Sequence, residues 1–205
     1  MTSSESADTR VLASGATTAV PDKPPESLAA LGYRVVVLGV TGSGKSTLAA
    51  ALARRLGAPH VELDALQWEP NWTPAQPEVF RERAGQAVAG DAWVVDGNYR
   101  QARDLVWPRA QTIIWLDYPL AITLWRLLRR TLWRVFAHVE LWSGNRERLW
   151  HQFFTRDSLF IWALTSRPKH RREYPLIPTL PEYAHVTFIR LRSPRATTRW
   201  LAALR

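Results

Sequence analysis

The run Gly39-Val40-Thr41-Gly42-Ser43-Gly44-Lys45-Ser46 fits the pattern G-x-x-x-x-G-K-[ST] and continues into Thr47. Glycines at these places let the main chain wrap closely enough for its N–H groups to face phosphate oxygens, and the start of the following helix adds partial positive charge. In such a loop Lys45 reaches the β- and γ-phosphates of a nucleoside triphosphate, and Ser46 places its hydroxyl on Mg²⁺. ATP and Mg²⁺ are the expected ligands, with Gly39, Thr41, Gly42, Ser43, Gly44, Lys45, Ser46 and Thr47 as the nucleotide-binding residues. The flanks agree: the apolar run Val35-Val36-Val37-Leu38 leads in, and a helical pattern over Lys45–Leu56, stopped by Gly57, leads out. The alternative is a glycine-rich strand-to-helix turn that binds nothing. No Asn-Lys-x-Asp guanine signature occurs, and the short chain suits a small phosphotransferase better than a motor.

Two carboxylate groups follow β-like runs. Asp96-Gly97 comes directly after Trp93-Val94-Val95, and a carboxylate at the C-terminal end of a parallel strand faces the crevice where ligands bind. Asp96 is therefore expected to orient a water on Mg²⁺, with Gly97 turning the chain away; the competing reading is a plain Asp-Gly turn. Glu62-Leu63-Asp64 ends another run, so the two acids would share one side of a strand of period two. Between Asp64 and Ala92, Trp68 and Trp72 either offer stacking faces to a base or ring or form a small core that docks this insert.

The helical pattern over Leu120–Phe136 gathers Arg126, Arg129, Arg130 and Arg134 into a sector of about 140°, with Leu124, Leu127, Leu128, Leu132 and Val135 opposite. Guanidiniums so placed would neutralise charge on a migrating phosphoryl group, or simply form a solvated face. Arg146, Arg148 and Arg156 follow among Trp142, Trp150, Phe153, Phe154 and Trp162.

Asp96-Gly97-Asn98-Tyr99-Arg100 and Ile113-Ile114-Trp115-Leu116-Asp117-Tyr118-Pro119, with Arg126 and Arg130 beyond, resemble the nucleoside monophosphate kinase group, of which adenylate kinase is the familiar member. That group carries Asp-Gly-Phe-Pro-Arg after its third strand, so Asp96 and Arg100 match its first and fifth positions while Asn98-Tyr99 departs from it. The resemblance implies that Asn98 and Arg100 face the acceptor. It also implies that Arg126 and Arg130 open a lid which brings Arg146, Arg148 or Arg156 to the phosphoryl group. From about Val35 to Leu204 the chain is more similar to the family of DNA topology modulation proteins, or adenylate-kinase-related kinases. The similarity rests on Leu63-Asp64-Ala65-Leu66, Trp68, Asp96-Gly97-Asn98-Tyr99, Glu140-Leu141-Trp142, Gly144-Asn145-Arg146-Glu147 and Leu191-Arg192-Ser193-Pro194-Arg195. Shikimate-kinase-type enzymes, too, carry an acidic pair near Glu62 and Asp64, one member close to the metal and the other on an acceptor hydroxyl. By that resemblance Asp64 would take the proton of an attacking hydroxyl; the bland reading is a helix cap or a solvated strand end.

These residues must be carried by a scaffold. Short β-branched runs at Arg34–Leu38, His60–Leu63, Trp93–Val95, Thr112–Leu116 and Val186–Leu191 alternate with helical patterns at Lys45–Leu56, Pro77–Ala89, Leu120–Phe136, roughly Arg146–Leu164 and Pro194–Leu204. The expected architecture is a three-layer α/β sandwich around a five-stranded parallel sheet. By resemblance it is of the nucleoside monophosphate kinase type, with acceptor-side and lid inserts. Residues 1–32, rich in Ser, Thr, Ala and Pro and without aromatics, read as a disordered extension, and 33–205 as one kinase domain with a basic lid-like segment over about 126–172.

Composition narrows the classes further. The 205 residues include no Cys, which removes disulfides, thiolate metal sites and Cys nucleophiles and agrees with a cytoplasmic protein. No run is long and apolar enough for a membrane span, and no signal-peptide pattern opens the chain. The net charge of +9 invites a polyanion. It is local, however: residues 33–125 balance, whereas 126–172 carry eleven basic and three acidic residues. A clamp on phosphoryl groups is the first reading, and a nucleic-acid track interleaved with aromatics is the competing one. The expected activity is transfer of the γ-phosphoryl of MgATP to a nucleotide or nucleotide-like acceptor. The alternatives are a small hydroxyl acceptor that uses Asp64, and a nucleic-acid-binding protein that affects DNA topology.

Overall fold

The computed structural model describes Pro25 and residues 27–137, 142–145 and 159–205. Five strands, β1 (Arg34–Gly39), β2 (His60–Glu62), β3 (Trp93–Asp96), β4 (Thr112–Leu116) and β5 (Thr187–Leu191), form one sheet in the order β2-β3-β1-β4-β5. Every neighbouring pair is parallel. The helices are α1 (Leu28–Leu31), α2 (Lys45–Leu56), α3 (Leu63–Gln67), α4 (Pro77–Ala87), α5 (Arg103–Val106), α6 (Leu120–Phe136), α7 (Leu159–Glu173) and α8 (Pro194–Ala203).

A parallel sheet covered on both faces needs strands that are apolar throughout, and Val35, Val36, Val37 and Leu38 of β1 are all buried. Their alternation divides the core in two. Val35, Val37, Val94 and Ile114 pack with Leu48, Leu52 and Trp200 on the α2 and α8 side. Val36, Leu38, Val95 and Ile113 pack with Phe80, Trp107, Tyr174 and Phe188 on the other. The fold is thus the expected three-layer α/β arrangement with a five-stranded parallel sheet. Helix ends follow their local chemistry: α2 stops at Gly57, whose φ of 62° is left-handed, and α8 is capped by Ser193 accepting from the Ala196 N–H, with Pro194 at the first position.

Four differences from the sequence reading have physical causes. Leu28–Leu31, inside the expected extension, is a helical turn capped by Ser27. Leu31 is wholly buried, and the Leu28 N–H donates to the Arg205 carbonyl at 2.9 Å. The second strand stops at Glu62 because α3 begins at Leu63; Leu63 is packed so tightly on Gly97 that a Cβ there would lie 2.8 Å from its own. Glu62 and Asp64 therefore do not line one strand, and Asp64 sits in the first turn of α3. Helix α7 runs through Pro168 to Glu173, well past the expected end at Leu164. His170 within it is buried, its ring stacked on Tyr174 at 4.6 Å and 11°.

The same helix delivers Arg171 to Asp117, at the C-terminal end of β4. Arg171 donates from Nε to Oδ1 at 2.9 Å and from Nη2 to Oδ2 at 3.2 Å, while Arg190 of β5 donates from Nε to Oδ2 at 3.1 Å and lies over the Trp115 ring at 4.5 Å. Burial alone would raise the Asp117 carboxyl, but the hydrogen bonds from Arg171 and Arg190 outweigh it and hold the group below its ordinary pKa. Its stabilising contribution is therefore complete at neutral pH and is lost as the pH falls through the lowered value. Asp117→Asn, which keeps the shape and removes the charge, should cost about 1–3 kcal/mol in urea denaturation at pH 7. The difference from wild type should shrink in acid.

Candidate functional site

The site grows from the turn between β1 and α2. Gly39 (φ 155°), Gly42 (φ 79°) and Gly44 (φ 93°) hold backbone conformations that side chains resist. At Gly42 a Cβ would also stand 2.7 Å from the Thr123 carbonyl oxygen and 3.0 Å from the Leu127 Cβ, so only glycine lets α6 lie against the loop. The Ser43 N–H donates to Val40 O at 3.1 Å and tightens the turn. Thr41 and Ser43 are buried, Lys45 is half-buried, and Ser46 and Thr47 are exposed on the first turn of α2. The Ser43 hydroxyl has no hydrogen-bond partner among the described residues.

Asp96 ends β3 directly beneath this turn. Its carboxylate, 1% exposed, is divided between two partners. Oδ1 accepts from the Ser46 hydroxyl at 3.2 Å, and Oδ2 lies 2.7 Å from the His60 Nε2. A loop serine and a strand-end carboxylate side by side are the donor set that holds Mg²⁺ on a nucleotide's phosphates. No cluster of three or more His, Cys, Asp or Glu side chains able to hold a metal by itself exists among the described residues. The donors present therefore fit an ion that arrives with its phosphates.

His60 escaped the sequence reading because an isolated His at the start of a short strand carries no spacing signal. The parallel pairing of β2 with β3 puts it beside Asp96. The hydrogen bond to Asp96 raises the His60 pKa most, burial opposes it, and the charges of Asp96 and Glu62 add to the rise. Glu62 is raised as well, by burial first and then by the negative charge of Asp96, with a hydrogen bond from Trp142 working the other way.

Lys45 is lowered from its ordinary value by loss of hydration, while Asp64 and Asp96 counteract and Arg130 contributes to the lowering. The lysine, both carboxylates and this arginine thus share one electrostatic environment, although they come from four separate elements. Arg126 of α6 donates from Nη1 to the Ser43 carbonyl at 3.3 Å, and its guanidinium lies 5.7 Å from the Tyr118 ring centre. Burial and the neighbouring Lys45 push His170 down to about 4, so that α7 presents a neutral imidazole near Lys45.

The acceptor-side residues separate. Asp64 accepts from the Tyr99 hydroxyl at 2.6 Å. Asn98, expected at the acceptor, instead accepts from the Gly39 N–H through Oδ1 at 3.3 Å and donates from Nδ2 to the Gly39 carbonyl, pinning the end of β3 to the first loop glycine. Arg100 is exposed at the start of a 3-10 turn. Trp68 and Trp72 pack edge to face at 5.7 Å within a two-residue hairpin, Trp68–Glu69 against Thr73–Pro74. Asn145 fastens this hairpin by accepting from the Trp72 N–H and donating to the Glu69 carbonyl, both at 2.9 Å. Arg146, Arg148 and Arg156 lie outside the described residues.

No family model and no curated protein sequence matches the chain. Its path is similar to that of a gluconokinase from Sinorhizobium meliloti 1021, at 21% identity, over 84% of this chain and 93% of that chain, with a TM-score of 0.49. It is similar to a shikimate kinase from Acinetobacter baumannii at 15% identity, over 87% and 93%, also with a TM-score of 0.49. A shikimate kinase from Bacteroides thetaiotaomicron has 15% identity over 82% and 94%, with a TM-score of 0.48.

The His60–Asp96 contact has a pH signature. A His whose pKa is raised on folding stabilises fully below its unfolded value, and the contribution is lost as pH rises through the folded one. With neither nucleotide nor Mg²⁺ present, the melting temperature of the wild type should fall relative to that of His60→Gln as the pH rises above the ordinary His value of about 6.5. Scanning calorimetry over a pH series checks it, and parallel curves would refute the coupling.

Proposed function

We propose that the protein is an ATP-dependent phosphotransferase that moves the γ-phosphoryl of MgATP to a small acceptor. The observation that carries this reading is the meeting of Ser46 and Asp96 at 3.2 Å under a glycine loop whose lysine shares its surroundings with Asp64 and Arg130. A phosphate-binding turn alone would need neither Asp64 nor Arg130. Resemblance to the adenylate-kinase-related family supports the same reading, and so does the placement of Arg126 against the loop.

In this reading the loop backbone and the Ser43 hydroxyl receive the triphosphate, and Lys45 spans its β- and γ-phosphates. Ser46 and Asp96 would hold Mg²⁺, which would supply positive charge to offset that of the phosphates. Arg130, together with Arg126, offsets the charge that spreads over the transferring group. His60 fixes the Asp96 carboxylate from the side away from Ser46. Catalysis is positioning plus electrostatic stabilisation.

Two acceptor classes enter. A nucleotide or nucleotide-like acceptor would call on Arg100 for its phosphate, and a neutral hydroxyl compound would call on Asp64. The hydrogen bond that orients Asp64 favours the second.

Full-length protein incubated with γ-labelled ATP, Mg²⁺ and a panel of small acceptors should transfer label to one of them. Lys45→Ala and Asp96→Asn should each reduce transfer by about 100-fold or more. A wild type that labels no acceptor, or a Lys45→Ala variant as active as wild type, would overturn the assignment.

A further inference from the structure

We propose that Tyr99 is a positioning residue for Asp64, and that the pair selects an acceptor offering an uncharged hydroxyl, of the polyol, sugar or nucleoside class. The inference rests on the kinase reading above and names its substrate class.

Tyr99 follows Asn98, whose two bonds to Gly39 fix the chain at this point. Its ring packs on buried Phe80 of α4 with centroids 5.1 Å apart, and its hydroxyl donates to Asp64 Oδ1 at 2.6 Å. Burial, followed by the charge and the hydrogen bond of Asp64, raises the Tyr99 pKa. The phenol therefore remains a donor at any working pH. A short hydrogen bond to a carboxylate is of the strong, charge-assisted kind and fixes its orientation. With Oδ1 occupied, Oδ2 has no partner among the described residues, and Asp64 lies close enough to Lys45 for their charges to interact.

The charges around this carboxylate discriminate between acceptors. The charges of Asp96 and Asp64 both act on Glu62 on this side of the site. Three arginines are paired elsewhere: Arg81 with Asp104 at 2.8 Å, Arg83 with Glu69 at 2.7 Å and Arg103 with Glu173 at 3.6 Å. A phosphate-bearing acceptor would meet carboxylates at the point where its anion must attack, whereas a neutral hydroxyl gains a hydrogen-bond acceptor there. In the transfer, the hydroxyl O–H bond breaks and its proton passes to Asp64 Oδ2 as the new O–P bond forms. The bond from the γ-phosphorus to the β,γ-bridging oxygen breaks, and ADP leaves with that electron pair. Asp64 then returns its proton to solvent.

The test uses the full-length chain with γ-labelled MgATP and two panels, one of neutral polyols, pentoses, hexoses and nucleosides, the other of nucleoside monophosphates. Label is expected on the neutral panel. Asp64→Asn should lower kcat by roughly 10²–10⁴-fold. Tyr99→Phe, which keeps the ring on Phe80, should lower kcat by roughly tenfold or more while leaving KM for ATP unchanged. In an Asp64→Asn background the Tyr99 substitution should cost nothing further, because its hydroxyl acts through the carboxylate. If Tyr99→Phe does not fold, the kcat of Asp64→Asn on the neutral panel still tests the carboxylate, and an unchanged kcat there would overturn the inference. Label on nucleoside monophosphates alone would overturn this inference and leave the kinase reading intact. An equal loss with and without the Asp64 carboxylate would reduce Tyr99 to a packing residue. Absence of label on every compound would remove both readings.

Discussion

A buried carboxylate must be partnered on each oxygen, and Asp96 meets that requirement with groups from both neighbours of β3. Ser46 reaches it from the helix that follows β1, and His60 reaches it from β2. The centre of the sheet, the phosphate loop and the outer strand are thereby joined at one side chain. The sheet order β2-β3-β1 is what makes this geometry available, because β3 lies between the two strands whose ends supply the partners. Displacing β3 along its neighbours would bury a charge without partners, at a cost that a domain of this size could not absorb.

Close approach of backbones is the second organising constraint. Gly42 admits α6 to the loop, and Gly97 admits Leu63 to the end of β3. The first contact sets Arg126 against the loop and Arg130 within electrostatic reach of Lys45. The second turns the chain from β2 into α3 at once, which sets Asp64 in a helical turn opposite Tyr99. The carboxylate stays within electrostatic reach of Lys45 even though it leaves the strand. The acids at alternate positions therefore do not share one strand face, because α3 takes Asp64 out of the strand.

The basic segment changes character in the fold. Arg171 is committed to Asp117, and His170 beside it is buried against Tyr174. The residues around Pro168 form the end of a helix whose Arg171 meets Asp117 together with Arg190, tying β4 and β5 to the layer above them. Part of the positive charge is thus structural, and another part, on Arg126 and Arg130, lies beside the loop and Lys45.

What the sequence by itself determined are the features that depend on neighbours in the chain. These include the glycine pattern of the loop, the apolar strands, the two-faced helix α6 and the stop at Gly57. They are local because backbone sterics and hydrophobic periodicity act over a few residues. Only the tertiary structure decided which side chains meet across the sheet. His60 and Asp96 are separated by 36 positions, Asp64 and Tyr99 by 35, Gly39 and Asn98 by 59, and Arg171 and Asp117 by 54. Nothing in the composition of either partner announces such a pair. Strand order and the burial of unpaired polar groups select it, and both exist only once the sheet has formed.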